Sequence, residues 1–196
     1  MFENIKGYNI VLASNSPRRK ELLTGLGLKF AVKVLPDVDE SYPKNLLPEE
    51  VPIYIASKKA NANRVNMSDN DLLITADTVV ICNGKILGKP KNAAEAYKML
   101  NFLSGKVHQV VTGVCLTTIK DQRKFSATSD VTFKNLTSEE IEYYIQNFKP
   151  YDKAGAYAIQ EWIGYIGVTK INGSFFNIMG LPVQRLYSEL ELLKKV

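Results

Sequence analysis

The sequence predicts a mixed α/β domain with two lobes around a central cleft. Its 196 residues suffice for one domain with a buried core. Along the chain, short strand-like apolar runs alternate with segments of helical periodicity, as in α/β proteins. Since the sequence has no repeats, low-complexity tracts or linkers, we expect a single domain over residues 1–196.

In the first half of the chain, glycines and an Asn-Gly pair mark where elements end. Gly25 and Gly27 stop the first helix, and Asn83-Gly84 between apolar runs indicates a hairpin. The elements expected here are a strand at 8–13, a helix at 17–26, a strand at 29–36, a loop from 37, a helix from 48 and a hairpin within 71–90.

The second half begins with the clearest helix of the sequence, at 92–105. Thr137 and Glu140 form a capping box that starts a later helix, and Asn172-Gly173 indicates a second hairpin within 165–176. The remaining elements expected here are two long strands at 107–119 and 124–136 that form an antiparallel pair, a helix at 138–148 and a last helix from Val183 to Lys195.

Composition excludes several classes of site. The net charge of +5 suits either a polyanionic ligand or a solvated basic surface, and the basic residues are scattered. Cys82 and Cys115 lack a CxxC spacing, so we expect no disulfide or zinc site and a reducing cytoplasm. With His108 as its only histidine, the chain cannot form an HExxH metal site, and any metal would have oxygen ligands, as Mg²⁺ or Mn²⁺ prefer.

Other motifs are absent as well. The sequence has no GxxxxGK[ST], GxGxxG or GxSxG pattern, which disfavours P-loop, dinucleotide-binding and hydrolase-elbow proteins. No apolar run approaches a spanning helix, so we expect no membrane or targeting segment.

The stretch "SNSPRRK" at residues 14–20 places positive charge at a helix start. Ser16 fits the N-cap and Pro17 the first helical position, but Arg18 and Arg19 have the wrong sign for a helix N-terminus. This pattern favours a bound phosphate, held by backbone N–H groups, Ser14, Ser16 and the arginines. The alternative is that the guanidinium groups extend into solvent.

Three further places put charged groups next to strands. Asp77 in "ITADTVV" lies between apolar runs and is either paired, functional or a turn residue. The loop "DVDESY" offers further carboxylates for a metal or a water, and the segment around Gly88 offers lysines, although both segments also fit a solvated surface. The residues concerned are Asp37, Asp39, Glu40, Lys85, Lys89 and Lys91.

The motifs "LASNSPRRKELL", "ADTVV", "GKP", "DKAGAYAIQ" and "NGSFFNIMGLP", in this order, resemble those of the Maf family of nucleoside triphosphate pyrophosphatases. The resemblance spans Ile10 to Leu186. It implies a cytoplasmic, often dimeric α/β protein of ITPase-like architecture, with a long mixed twisted sheet, flanking helices and a deep cleft. It also implies cleavage between the α- and β-phosphates with a divalent cation.

Within that family, "GAYAIQ" and "INGSFFNIMGLP" look like the branch acting on dTTP, UTP and modified pyrimidine nucleotides. The resemblance makes Asp77 the proton acceptor and Arg18, Thr78 and Gln160 the specificity positions. It matches Ser14, Arg19, Glu40, Lys59 and Lys89 to polar residues of the family's cleft. From the chemistry of phosphate hydrolysis we expect Ser14, Arg19, Lys59 and Lys89 to bind the phosphates, and Glu40 with Asp77 to hold Mg²⁺ or Mn²⁺. The alternative that Asp77 is chiefly a metal ligand, and not the proton acceptor, stays open. The stretch "QEWIG" departs from the family, in which glycine-rich residues commonly follow the glutamine.

Two other functions remain open. One is a regulator of cell division that binds nucleotides or nucleic acid without turnover, a role also proposed for this family. The other is a pyrophosphatase for non-standard purine triphosphates such as ITP or XTP, because a similar fold hosts that activity. For the pyrophosphatase we expect a nucleoside triphosphate substrate, no required nucleic acid, no membrane, and a homodimer by family resemblance.

Overall fold

The computed structural model describes residues 2–193 and contains a mixed seven-stranded sheet. Its strands are β1 (Asn9–Leu12), β2 (Ala31–Val32), β3 (Asp71–Cys82), β4 (Lys85–Leu87), β5 (Val107–Thr117), β6 (Gln122–Phe133) and β7 (Val168–Asn172). The order is β2-β1-β3-β5-β6-β7, and β4 pairs with β3. β1 is parallel to β2 and β3, whereas β3–β4 and β6–β7 are antiparallel. The predicted α/β class and long mixed sheet are confirmed.

Helices occupy most of the segments between the strands. They are α1 (Pro17–Gly25), α2 (Val51–Asn63), α3 (Ala93–Leu103), α4 (Ser138–Phe148), α5 (Trp162–Gly167), α6 (Phe175–Met179) and α7 (Val183–Glu191). Short 3₁₀ turns lie at Pro48–Glu50, Arg64–Asn66 and Ala154–Ala156. The predicted last helix ends earlier than expected, and Lys194 and Lys195 lie outside the described residues. Among residues 2–193, no helix is long and apolar enough to cross a membrane.

Two helix starts form as the sequence predicts. The Ser16 side chain accepts a hydrogen bond from the Arg19 backbone N–H and thereby caps α1. Thr137 and Glu140 form the expected capping box, with each side chain bound to the other residue's backbone N–H. Each arrangement satisfies backbone donors that a helix leaves unpaired in its first turn.

The chain divides into two compact units, which agrees with the two predicted lobes. The first comprises the segment that ends at Asp77, Thr112–Ala127 and the segment from Gly180. The second comprises Thr78–Val111 and Thr128–Met179. Strands β3, β5 and β6 each contribute residues to both units. Whether residues 1–196 act as one domain stays a prediction.

In the first unit, α2 packs closely against the parallel strands. Val11, Leu73 and Ala56 belong to one buried cluster, as expected for parallel strands covered by a helix. At Gly113, an added Cβ would lie 2.3 Å from the backbone nitrogen of Ile53, so glycine permits the start of α2 to approach β5. This approach fixes the helix that carries Lys59.

The prediction of a hairpin at Asn172-Gly173 is wrong. β7 ends at Asn172, and the chain enters α6 instead of a second strand. Ser174 redirects it, because its side chain accepts from the backbone N–H of Asn177 at 3.2 Å. Gly173 adopts φ +125°, a conformation that glycine tolerates best.

Two other predicted elements differ from the observed ones. Residues 162–167, partly assigned to the same hairpin, form α5. β2 keeps only Ala31–Val32 of the predicted strand at 29–36, because it lies at the sheet edge with both residues exposed.

Buried polar groups join elements of the second unit. Nδ2 of Asn177 donates to the carbonyl oxygen of Val110 and to the hydroxyl oxygen of Ser129, each at 3.0 Å. His108 is 1% exposed, and its Nε2 lies 2.8 Å from the Tyr157 hydroxyl oxygen. Its ring makes edge contacts with those of Tyr157 and Phe133. This position gives His108 a structural role in the core of the second unit.

Replacing Asn177 with alanine is expected to lower the free energy of unfolding by about 2–3 kcal/mol, because two buried hydrogen bonds are lost and the side chain leaves a cavity. Urea denaturation measures the change. Asn147→Ala is the matched control, since Asn147 is exposed and its Nδ2 also donates to a carbonyl oxygen, that of Tyr143. The control should stay within about 0.5 kcal/mol of the parent protein. Equal losses in the two variants would contradict the role given to Asn177.

Burial lowers the pKa of His108 from 6.5 to about 4. Between these values the unfolded chain binds more protons than the folded one, so the free energy of unfolding falls as pH decreases from 6.5 to 4. The total loss is about 3 kcal/mol. Denaturation at several pH values measures it, and His108→Asn should remove it. An imidazole that titrates near pH 6.5 in NMR spectra of the folded protein would contradict this prediction.

Candidate functional site

Ser14 and Arg19 lie where β1 gives way to α1 in the first unit. The chain leaves β1 through buried Ala13, and Ser14 is 7% exposed. The Ser14 hydroxyl oxygen accepts hydrogen bonds from the backbone N–H of Ser16 at 3.2 Å and from Nη1 of Arg19 at 3.4 Å. Together with the Ser16 cap, these bonds fix the turn between strand and helix.

The guanidinium of Arg19 connects three distant motifs of the sequence. Nε donates to the carbonyl oxygen of Gly180 and Nη1 to that of Ala76, each at 2.9 Å. Gly180 belongs to the "GLP" motif, and Ala76 directly precedes Asp77. Burial lowers the pKa of Arg19, and the negative charge of Asp77 opposes that shift. A bound anion alone therefore does not account for the cation in the first turn of α1, because backbone carbonyl groups also bind it.

Lys59 lies between two carboxylates. Its Nζ is 2.8 Å from Oδ1 of Asp77 and 2.8 Å from Oε1 of Glu40. The Lys59 and Asp77 side chains are 16% and 14% exposed, whereas that of Glu40 is 54% exposed. Two like charges close together repel each other, so the ammonium group compensates the repulsion and holds both carboxylates near one point.

Local structure explains why these groups meet. β3 is buried from Asp71 to Ala76 and from Val79 to Cys82 but partly exposed at Asp77 and Thr78, so the carboxylate reaches solvent from the middle of a fixed strand. On α2, Ala56 and Ala60 are buried, and Lys59 lies beside that face. Sequence analysis identified Asp77 from the same change between apolar and polar residues.

The loop that carries Glu40 is held by the neighbouring lysine. Nζ of Lys58 donates to Oδ2 of Asp39 at 2.8 Å and to the carbonyl oxygen of Ser41 at 2.9 Å. Hydrogen bonds from Lys58 and Ser41 keep the pKa of Asp39 well below its usual range. Asp39 therefore anchors the loop, and consecutive lysines of α2 bind consecutive acidic residues.

This arrangement offers a proton acceptor and oxygen ligands for a cation. Asp77 is a partly buried carboxylate in the middle of a long strand, and such a fixed position suits a general base. Glu40 and Asp77 present oxygen atoms to the same point, which the Lys59 ammonium now occupies. Among residues 2–193, no three His, Cys, Asp or Glu side chains lie close enough to hold a metal without further ligands.

Three predicted site residues belong to the second unit: Thr78, Lys89 and Gln160. Thr78 is partly buried in β3, and Lys89 is exposed beyond β4. The backbone N–H of Gly155 donates to the carbonyl oxygen of Gly88 at 3.0 Å, which joins the "GKP" and "DKAG" motifs. Oε1 of Gln160 is buried and has no hydrogen-bond partner within the described residues.

Within the first unit, the structure therefore brings together Ser14 with Arg19, and Glu40 with Lys59 and Asp77. Arg18 is close enough that its charge lowers the pKa of Arg19, a smaller effect than that of burial. Other candidate residues do not join these groups through any contact the structure shows: Asp37, Lys85 and Lys91 are exposed. Their positions fit the solvated surface that the sequence left open.

Sequence reasoning missed the anchoring role of Lys58 and the contacts of Tyr144, Lys153 and Glu161 around the Gln160 segment. Only Glu161 gave a signal, because "QEWIG" departs from the family pattern. The others required knowledge of which side chains meet in space.

Comparisons with known proteins agree with the motifs. The family described as "Maf-like protein" matches residues 9–193. A "dTTP/UTP pyrophosphatase" of Phocaeicola vulgatus is 61% identical over 193 residues, which cover 98% of this chain and 100% of the relative. A protein of the same description from Bacteroides thetaiotaomicron is 59% identical with the same coverage.

A solved structure titled nucleoside-triphosphatase / dITP/XTP pyrophosphatase, from Mycobacterium abscessus, has a TM-score of 0.40 and 12% identity. The match covers 72% of this chain and 95% of that chain, and similarity at this level decides nothing about the present fold. The family match and the full-length relatives establish the family. Since the family match extends over residues 9–193 and the relatives align over their full length, the chain belongs to the Maf family.

Proposed function

We propose that this protein is a nucleoside triphosphate pyrophosphatase that hydrolyses dTTP and UTP to the monophosphate and pyrophosphate. Modified pyrimidine nucleotides are further substrates, and the reaction removes them from nucleotide pools. The full-length relatives described as dTTP/UTP pyrophosphatases support the substrate. The structural observation that carries the proposal is the contact of Lys59 with the carboxylates of Asp77 and Glu40.

In this proposal Asp77 accepts a proton from the attacking water. The water oxygen bonds to the α-phosphorus, the bond between that phosphorus and the αβ-bridging oxygen breaks, and pyrophosphate leaves with that oxygen. Such a reaction needs positioning and charge stabilisation rather than a covalent intermediate. A carboxylate held by β3 and bound to Lys59 on α2 is positioned in this way.

The phosphates are bound by Ser14, Arg19, Lys59 and Lys89. Cationic donors stabilise the charge that develops on the leaving pyrophosphate. Arg19 also keeps its bonds to the carbonyl oxygens of Ala76 and Gly180, so its charge stays close to Asp77.

A divalent cation, Mg²⁺ or Mn²⁺, fits the donor set. Glu40 and Asp77 direct hard oxygen ligands at a point that already binds one cation, the Lys59 ammonium. With only two carboxylates from the chain, the remaining ligands would be water and phosphate oxygens, as is usual for Mg²⁺. When bound, the cation would neutralise phosphate charge. Asp77 acting chiefly as its ligand is the alternative to Asp77 as the base.

Gln160 reads the base, with Arg18 and Thr78 as further specificity positions. The buried Gln160 Oε1 without a partner supports this role, because a buried acceptor without a donor is unfavourable by about 1–3 kcal/mol. The N3–H of uracil or thymine would supply a donor, and the O4 atom would accept from the amide nitrogen.

We place the protein in the cytoplasm, because both cysteines are buried and unpaired, as suits a reducing compartment. No nucleic acid is required for the proposed reaction. A homodimer and a role in the arrest of cell division stay predictions that follow from the family alone.

Asp77→Asn is expected to lower the rate of pyrophosphate release from dTTP at least 100-fold, because the amide cannot accept the proton. Binding of dTTP should change less than about threefold if Asp77 acts as the base. The assay measures dTMP and pyrophosphate for a panel of nucleoside triphosphates with Mg²⁺, with Mn²⁺ and with EDTA. Asp69→Asn is the control, since Asp69 is exposed, and its rate should match that of the parent protein.

Other outcomes of this panel would replace the proposal. Equal dTTP binding by parent and Asp77→Asn without product from either would favour the non-enzymatic regulator. A preference for ITP or XTP over dTTP and UTP would favour the purine-directed alternative. Full activity in EDTA would exclude the divalent cation.

Gln160→Ala is expected to lower the preference for UTP over CTP, expressed as the ratio of kcat/KM values, about tenfold or more, because the amide contacts to the base are lost. Affinity for inorganic pyrophosphate should stay within about twofold. Gln146→Ala, at an exposed glutamine of α4, is the matched control. Equal losses of kcat/KM for both nucleotides would contradict base reading by Gln160.

A further inference from the structure

Gln160 lies in a tight turn between the 3₁₀ turn at Ala154–Ala156 and α5. The backbone N–H of Glu161 donates to the carbonyl oxygen of Ala158 at 3.1 Å, which closes a four-residue turn. Gln160 is the third residue of this turn, so the turn's backbone sets the direction of its side chain.

One buried hydroxyl group contacts both ends of that turn. Tyr144 on α4 is 0% exposed, and its hydroxyl oxygen accepts from the backbone N–H of Ala158 at 3.2 Å. The same hydroxyl donates to Oε2 of Glu161. Its two partners lie two residues before and one residue after Gln160.

A buried lysine completes the arrangement. Nζ of Lys153 lies 3.4 Å from Oε1 of Glu161 and 2.7 Å from Oδ1 of Asp152. The Lys153 side chain is 9% exposed, so its charge is compensated mainly by these carboxylates. Glu161 therefore accepts a hydrogen bond from the Tyr144 hydroxyl at one oxygen and pairs with the Lys153 ammonium group at the other, which restricts its position.

Burial raises the pKa of the Tyr144 phenol, and its hydrogen bond to Glu161 raises it further. The hydroxyl therefore stays protonated near neutral pH and donates its hydrogen bond to Glu161.

We propose that Tyr144 and Glu161 are positioning residues that set base selectivity by fixing the Ala158–Glu161 turn and hence the direction of the Gln160 amide. This inference rests on the proposed role of Gln160 in reading the base. Neither residue needs to touch the nucleotide. Their effect reaches the substrate only through Gln160.

Tyr144→Phe and Glu161→Ala test the proposal in the full-length protein with UTP and CTP. Each removes one side of the contact, so the ratio of kcat/KM for UTP over CTP should fall about tenfold, the size expected for one buried hydrogen bond. Most of the loss should appear as a higher KM for UTP, with kcat within about threefold of the parent. Glu161→Gln keeps an acceptor for the hydroxyl and should retain most of the selectivity.

Tyr143→Phe is the matched control. Tyr143 is the preceding residue on α4, is 48% exposed, and packs with its ring on Trp162 at a centroid distance of 4.7 Å. The same loss of a hydroxyl should leave the UTP/CTP ratio unchanged there. A tenfold loss in this control would overturn the proposal, because the effect would then not depend on the Tyr144–Glu161 contact.

A double-mutant cycle separates positioning from an independent structural effect. In a Gln160→Ala background, Tyr144→Phe and Glu161→Ala should cause no further loss of selectivity, because the group that they position is gone. Additive losses would overturn the proposal. If Gln160→Ala changes selectivity and neither positioning variant does, this inference alone fails. If Gln160→Ala itself leaves selectivity unchanged, the role of Gln160 in the proposed function fails first.

Discussion

The carboxylates of Asp77 and Glu40 share the ammonium group of Lys59, and much of the first unit serves to hold this contact. Without the lysine, two partly desolvated negative charges near one point would repel each other. Three elements must therefore be placed together: β3 for Asp77, α2 for Lys59, and the loop for Glu40. Gly113 allows α2 to approach the sheet, and the Lys58–Asp39 pair anchors the loop.

Arg19 adds a second constraint on the same part of β3. Its planar guanidinium binds the carbonyl oxygens of Ala76 and Gly180 at a fixed angle, which a lysine with a single ammonium group could not reproduce. The positive charge in the first turn of α1 opposes the helix dipole, but it connects the start of α1 to the middle of β3 and to the "GLP" segment. A structural role and a phosphate-binding role for one arginine are compatible, since both use its permanent positive charge.

In the second unit, buried polar groups hold short turns in place. Asn177 binds a strand carbonyl group and the Ser129 hydroxyl, and Tyr144 binds the turn that carries Gln160. Buried polar groups of this kind are favourable only when their partners are correctly placed, so they select one conformation of the chain around them. The buried Gln160 oxygen lacks such a partner within the described residues, and the proposed base contact would supply one.

The sequence by itself determined the elements whose signals are local. The Ser16 and Thr137 caps, the Asn83-Gly84 hairpin and the long strands follow from residue types and spacing, and Asp77 stands out as a carboxylate between apolar runs. Local signals failed at Asn172-Gly173, where the same dipeptide that turns one hairpin precedes a helix capped by Ser174. Only the tertiary structure decided that Lys59 joins Asp77 to Glu40, that Arg19 binds two carbonyl groups and that Tyr144 holds the Gln160 turn. These contacts join residues between 14 and 161 positions apart, and no local pattern encodes which distant partner a charged or hydroxyl group will meet.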